Sequence, residues 1–525
     1  MTQHYDVAIV GCGPVGALAA NFLGRAGIRT LVMDQAASLH PLPRAVHIDH
    51  EMIRLFQDVG LTDSILPLMR DTDGHLHVGA DGGVIRYMGT AGQARRFGWS
   101  NDYFFYQPEL EAALRAGFAR FPSVELRLGC RLTGLSQETG QARLTLATDT
   151  GEQTATARYV IACDGASSPV RKLLGVRLDD LDFEEPWLVV DAEVDGPLSF
   201  PPIAGLPLQA DLQRLSVMMC DPKRPATIVP GPRNLRRWEF MLLPGEDDQA
   251  MMQPDQVAKL LAPWVQGVPH RIVRGATYRF HGLVAERWRV GNVFLAGDAA
   301  HQTPPFFGQG MCHGFRDVAN LVWKLDLVLR GLAPDRLLDL YQPEREPHVR
   351  GVIGAAVAAG RYICVLDPAE AAARDREMRA RMADGPPRTA ADLIPAVESG
   401  IVRPGAGQRF IQPRVGLPDG TTALLDDLTV AGWRLILRRD VAIPDLPTSW
   451  ATLGGRVWVE GQGGTTDPDG HLRDWFAGSG AAAVLLRPDF YIYGTATHAG
   501  DIAPLVGALT ADLGLVAAEG TTWAA

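Results

Sequence analysis

The stretch that most constrains the fold is Tyr5-Asp-Val-Ala-Ile-Val-Gly-Cys-Gly-Pro-Val-Gly16. Val7, Ile9 and Val10 make an apolar run with the length of a buried strand. It breaks at Gly11, and a helical pattern follows through Val15, Leu18, Ala19, Phe22 and Leu23. A second run, Arg29 to Met33, closes on Asp34. Strand, glycine turn, helix and acid-tipped strand make a dinucleotide-binding βαβ unit. Gly11 permits the tight turn, Gly13 lets the backbone approach a pyrophosphate, and Gly16 lets helix and strand pack closely. Pro14 belongs to the same cofactor-facing turn. The helix N-terminus presents N–H groups and a positive dipole end to phosphates, and Asp34 suits ribose hydroxyls. A bare GxGxxG can be a plain glycine-rich turn, but here flanking strands and the acid accompany it. FAD and NAD remain undistinguished by this stretch alone.

A chain of 525 residues is too long for one ordinary core, so two or three domains are expected. A formal charge of −10 argues against nucleic acid as a partner. The chain enters its first strand at once, which leaves no room for a signal peptide. The longest apolar stretch, 351–366, is interrupted by Arg361 and falls short of a membrane span. Six cysteines are scattered without a CxxC, which reads as reduced thiols in a cytoplasmic protein. No histidines stand in an HExxH spacing, so no metal is expected.

Along the chain, Asp49 reads as the N-cap of a helix carrying Met52, Ile53 and Phe56. Short strands are expected over 75–105, a helix over 108–121, and strands over 124–162 and 185–285. A buried strand spans 291–296 and a helix runs from Gly310 to Arg330. The increasingly charged stretch from Arg345 to Arg388 reads as a helical connector. Beyond 405, two strands flank Pro488-Asp489 and a helix covers Ile502 to Leu515.

Two further signatures place an acid at a strand's end before a helix. They are Asp164-Gly165, ahead of Pro169, and Gly297-Asp298, followed by Pro305, Gly308 and Gly310-Met311. Each alone could be an Asx-turn or a helix cap. Three such sites in order resemble the group A flavoprotein monooxygenases, the aromatic-ring hydroxylases typified by p-hydroxybenzoate hydroxylase. Pro43-Arg44 and the helix start at Gln107 support the resemblance, which spans about 5–350. Within that group the chain is most similar to 3-(3-hydroxyphenyl)propionate hydroxylases, through 43–49, 237–246 and 304–323. Related resorcinol and polyketide hydroxylases share much of this.

The resemblance implies an α/β fold: a Rossmann-like FAD-binding domain (1–345) with an inserted β-sheet substrate domain (about 75–105 and 185–285). A helical connector (346–404) and a C-terminal thioredoxin-like domain (405–525) follow. No cysteine follows Cys364, so that last domain has no dithiol chemistry, and packing or a homodimer contact is its modest role. FAD would be bound at Gly11, Gly13, Pro14 and Gly16, with Asp34 at the adenosine ribose. Arg44, Gln107, Asp164, Gly165 and Gly297 would lie along it. Asp298 would hold the ribityl chain, and Pro305, Gly308, Gly310 and Met311 would approach the isoalloxazine ring. NADH or NADPH would bind transiently, and a phenol would be hydroxylated ortho or para to its hydroxyl by a flavin hydroperoxide formed with O2.

His281, beside Tyr278, is the first candidate to activate the phenol, against an equal case for a structural strand histidine. Tyr103, Tyr106 and His313 are weaker candidates. Arg236 and Arg237, with Arg214 and Arg224, are candidate partners for a substrate carboxylate, although a solvated hairpin face suits at least one of them. A flavin halogenase on this fold would carry Trp-x-Trp, and a Baeyer–Villiger oxygenase a second GxGxxG; neither is present. A non-enzymatic redox sensor or a prenyl reductase of the same fold completes the alternatives.

Overall fold

Strand Gln3–Val10 sits inside an eight-stranded sheet, paired in parallel with Thr30–Met33 on one side and Gly151–Ala162 on the other. A parallel strand is covered on both faces, which explains the unbroken apolar run from Val7 to Val10. Val293–Leu295 extends the sheet in parallel beyond Gly151–Ala162. The common direction of these four strands brings the turns at Gly11, Asp34, Asp164 and Asp298 to one edge of the sheet, where an open α/β sheet binds its ligand. The structure, a computed structural model, describes residues 3–90, 92–93, 95–383 and 394–515.

A second eight-stranded sheet is mostly antiparallel. Its order is His301–Gln302, His270–Ala285, Leu178–Val194, Leu235–Met241, Ala226–Pro230, Ser216–Met219, Gly74–Val78 and Val84–Gly89. One face buries Leu188, Val190, Trp238 and Phe240 with Val257 and Leu261 of the helix Pro254–Leu261. The opposite, inner face carries Asp191, Arg237 and Glu239, and it fronts the first sheet. Strands from both expected stretches meet in this sheet, while Asp102–Phe105 joins His47–Asp49 and Met69–Asp71 in a separate three-stranded one. Asp49 caps its helix as expected, accepting from the Glu51 N–H.

Residues 407 onward form a four-stranded sheet ordered Arg456–Val459, Arg434–Leu437, Ala483–Leu486 and Ile492–Ala496. Its first two strands in sequence are parallel and the last two pair antiparallel, with the helix Ile502–Asp512 after them. This is the thioredoxin-like arrangement.

The charged stretch expected to be a connector packs against the body instead. In the helix Tyr341–Ile363, Tyr341, Glu344, Arg345, His348, Val352 and Ala356 recur at helical spacing and are all buried. The helix Pro368–Ala383 lies on the edge strand Val84–Gly89, with Arg379 donating to the Val84 carbonyl and Asp375 accepting from Ala80 N–H. Buried, paired charges on the inner side and exposed ones on the outer account for this composition. The expected end of the stretch at Arg388 lies outside the described residues.

Glu344 shows how these charges are held. It accepts from Lys324 at 2.9 Å, Arg487 at 2.7 Å and Asn320 at 2.7 Å, all buried, and so joins the thioredoxin-like domain to the first. Burial alone would raise its carboxyl, yet Arg487 and Lys324 pull it down to about 2. A carboxylate lowered on folding stabilises the protein above its ordinary range near 4.5, and that contribution fades as pH falls towards 2. Glu344→Gln should therefore cost about 3–5 kcal/mol at neutral pH, because it strands two buried cations. Denaturant titrations should show the gap to the parent narrowing below about pH 4.5.

Candidate active site

Gly11 adopts φ +97°, and a Cβ there would fall 2.4 Å from the Cys163 carbonyl oxygen, so the two strand ends can meet only around a glycine. Gly13 differs: a Cβ there would meet nothing within 4 Å. The helix Pro14–Arg25 that follows has no side-chain cap and no acid in its first turn, so its leading N–H groups remain available to an anion. Asp34 accepts from Cys12 N–H at 2.7 Å through one oxygen and from Ala36 N–H at 2.8 Å through the other. The acid thus fixes the glycine turn while lining a cavity of about 250 Å³ with Gly13, Arg44, Glu111, Arg115 and Asp164. A glycine with open space beside it, a bare helix N-terminus and an acid at the strand end fit the ADP half of a dinucleotide.

The remaining sequence candidates divide into walls and supports. Asp164 takes the Ser168 hydroxyl at 2.5 Å and the Val170 N–H at 2.9 Å, so it caps the short helix Pro169–Leu173 and only its turn with Gly165 shapes the cavity. Gln107 accepts from the N–H groups of Arg44 and Ala45 and donates to Glu111, and it positions the loop that carries Arg44. Asp298 is exposed on the cleft and makes no hydrogen bond within the described residues, which suits a ligand's hydroxyls. The protein surrounding it pushes its carboxyl up, against the opposing pull of His301 and Arg44. Its turn is anchored from behind by buried Asp317, which accepts from Gly297 N–H, His301 Nε2 and Arg345 Nε. Gly308, at φ +62°, follows the turn Pro305–Phe307 and packs on the His47 ring. The helix from Gly310 and Met311 again starts without a side-chain cap.

Residues 4–356 match the FAD binding domain family, and residues 407–512 match the HcaD C-terminal domain. The chain belongs to the FAD-dependent aromatic hydroxylase family. It is 36% identical to a probable NADH-specific resorcinol 4-hydroxylase of Rhodococcus jostii (strain RHA1), over 96% of this chain and 94% of that protein. It is 35% identical to a 3-(3-hydroxy-phenyl)propionate/3-hydroxycinnamic acid hydroxylase of Burkholderia cenocepacia (strain HI2424), over 94% of both chains. Among solved structures, the flavin-dependent monooxygenase PieE superposes with a TM-score of 0.78 at 21% identity, covering 97% of this chain and 99% of its own. Aklavinone-11 hydroxylase gives 0.75 at 24%, over 98% and 99%. FAD is thus the cofactor of this chain.

The structure sorts the substrate candidates by strand parity. In strand His270–Ala285, Phe280 stacks with Trp187 and Phe306 on the inner side. Alternation turns His281 the other way, opposite Glu184 and on the side of Arg279, so the histidine is not brought to that face. Tyr278 shares the face of Phe280, its ring 4.8 Å beneath the Arg274 guanidinium. Tyr103 is buried, its hydroxyl accepting from Ser100 N–H, and Tyr106 donates to Pro41. His313 is embedded between His301 and His348, and burial holds it well below the ordinary imidazole range.

The arginines are committed to the protein. Arg237 makes a two-pronged ion pair with Asp191 at 2.7 and 3.0 Å and donates to the Arg44 carbonyl at 2.6 Å. Arg274 joins Asp191 and donates to the Pro43 carbonyl. Arg236 donates to the carbonyls of Leu235 and Arg233, Arg214 pairs with Asp71 and Asp73, and Arg224 with Glu246. Sequence reasoning missed Asp191, and also His47, whose Nε2 meets Asp102 at 2.7 Å with His75 nearby. Burial opposes charging His47, but the bond to Asp102 leaves its pKa raised. No motif flags Asp191, whereas the alternation Arg237-Trp-Glu-Phe240 already separates a polar face from an apolar one.

The two glycines should separate experimentally. Gly11→Ala should lose much of its thermal stability, since both its backbone conformation and the Cys163 carbonyl oppose a side chain. Gly13→Ala should melt like the parent when stripped of FAD, yet bind FAD about tenfold or more weakly, as read by flavin fluorescence titration.

Proposed function

We propose that the protein hydroxylates a meta-substituted phenol ortho or para to its hydroxyl, with NADH as reductant. The three substrates named for its relatives share that ring pattern, and the Rhodococcus relative is named NADH-specific. The chemistry supplied by bound FAD is reduction by the nicotinamide, reaction with O2 and delivery of one oxygen atom to the ring. The chain's own residues supply position and dryness. Arg237 and Arg274 hold the Pro43–Arg44 loop against the inner face of the second sheet. Trp187, Phe280 and Phe306 close one end of that face with ring centroids 5.8–6.4 Å apart, an apolar wall that keeps water from the reacting ring.

One observation favours a neutral ring over an arylpropionate. Arg214, Arg224, Arg237 and Arg274 each already pair with an acid, and Arg236 donates to two backbone carbonyls, leaving, of their buried donors, only Arg236 Nε and Arg274 Nη2 without a partner among the described residues. A buried carboxylate without a charge-assisted contact is costly, by several kcal/mol (an order-of-magnitude figure). Resorcinol should therefore be turned over with product matching NADH consumed, while 3-(3-hydroxyphenyl)propionate should stimulate less than its own methyl ester. Product analysis alongside NADH oxidation checks this. A strong preference for the acid over the ester would reverse the neutral-ring assignment, and no hydroxylated product from any of the three would overturn the phenol reading.

A further inference from the structure

The inner face of the second sheet can be read row by row from its register. One row runs Arg274, Asp191, Arg237, and another runs Tyr278, Trp187, Met241. Between them lies the row Ala276, Val189, Glu239, Thr227, Met218 and His77, small at Ala276, Val189 and Thr227. The rows on either side carry bulky side chains, so this middle row forms the floor of a trough. Phe306 covers one end through Trp187, and His47 stands beside the other, its ring centroid 5.9 Å from that of His75, two residues along the strand from His77. Gly308, which packs on His47, and Phe306 belong to the same loop, so that loop spans the trough.

Glu239 is the acid on that floor. Its side chain stays partly accessible, 14% exposed, and it makes no hydrogen bond within the described residues. Its one ion-pair contact is Arg237 at 3.9 Å, and that guanidinium is already taken by Asp191 and the Arg44 carbonyl. Of the other charged groups on this face, Asp191 pairs with Arg237 and Arg274, whose Nη2 has no partner among the described residues, and His77 bonds to the Tyr362 hydroxyl through Nδ1 while its Nε2 has none. The loop residues Thr303 to Gly308 bring no titratable group. An acid with free lone pairs on this face, bonded to no donor among the described residues, calls for a hydrogen-bond donor from outside the chain.

We propose that Glu239 receives the proton of the substrate's phenolic hydroxyl. The O–H bond breaks, its electron pair stays on the ring oxygen, and the proton passes to a Glu239 carboxylate oxygen. The resulting phenolate pushes charge onto the ortho and para carbons, where oxygen must arrive. Burial, opposed by Arg237 and reinforced by Asp191, raises this carboxyl, which narrows its gap to a phenol near 10 and makes it a better proton acceptor than an exposed glutamate. This assignment rests on the phenol reading above and adds the residue that performs the activation.

The test uses the FAD-loaded enzyme and its Glu239→Gln and Glu239→Asp variants, with resorcinol and with a ring-fluorinated or nitrated phenol that is largely ionised at neutral pH. Both variants should keep parental FAD content and melting temperature. Glu239→Gln should lose about a hundredfold in resorcinol hydroxylation, in line with the usual worth of a positioned base, and should recover most of it with the ionised phenol; Glu239→Asp should fall between. Parental turnover of resorcinol by Glu239→Gln would overturn the assignment, as would an equal loss with the ionised phenol. A parent enzyme that hydroxylates no phenol would instead overturn the function reading and this one with it. Bound resorcinol perturbing the flavin spectrum equally in parent and Glu239→Gln would separate lost proton transfer from lost binding.

Discussion

The Asp191–Arg237 pair is the contact on which the geometry of the cleft depends. It is buried on both sides, and Arg237 uses its remaining donors on the carbonyls of Pro43 and Arg44. Arg274 repeats the arrangement from the next strand. A sheet made from two distant insertions is thereby indexed to a loop of the cofactor domain. Charged hydrogen bonds to carbonyls are directional, so the distance between the 43–44 loop and the second sheet is set more sharply than apolar packing alone would set it. Such a pair contributes little net stability and much register.

The same logic recurs elsewhere in the molecule. Asp317 holds the Gly297–Asp298 turn from behind, and Glu344 joins Lys324, Asn320 and Arg487 across to the C-terminal domain. Asp426, paired with Arg434 of its own domain, also reaches Arg54 across that boundary. The thioredoxin-like domain, lacking any cysteine, is therefore tied in by buried charge and serves as a structural part of the body. Its docking surface supplies partners that the cofactor domain would otherwise leave unpaired.

The cofactor cleft was legible in the sequence because its logic is local. A strand, a glycine turn and an acid identify themselves within thirty or so residues, and parallel order then brings Asp164 and Asp298 to the same edge. The substrate side was less legible. His281 looked promising beside an aromatic run, but which face it takes depends on the parity of a sixteen-residue strand set by its neighbours. Arg237 looked like a ligand for an anion because its partner Asp191 lies on another strand. The charge around and after Arg345 suggested a connector, since composition cannot show that Glu344, Arg345, Arg374, Asp375 and Arg379 have mates within the chain.

The helix Pro368–Ala383 closes the open side of the second sheet at Val84–Gly89. A strand ending a sheet carries bare backbone donors and acceptors, and these recruit strands from other chains into aggregates. Here the guanidinium of Arg379 takes the Val84 carbonyl and the carboxylate of Asp375 takes the Ala80 amide, while the helix's outward side stays densely charged. The segment that looked like a tether therefore acts as a guard on the sheet's edge: it holds the trough's outermost strands in place and keeps a crowded solution of this protein from joining sheet to sheet.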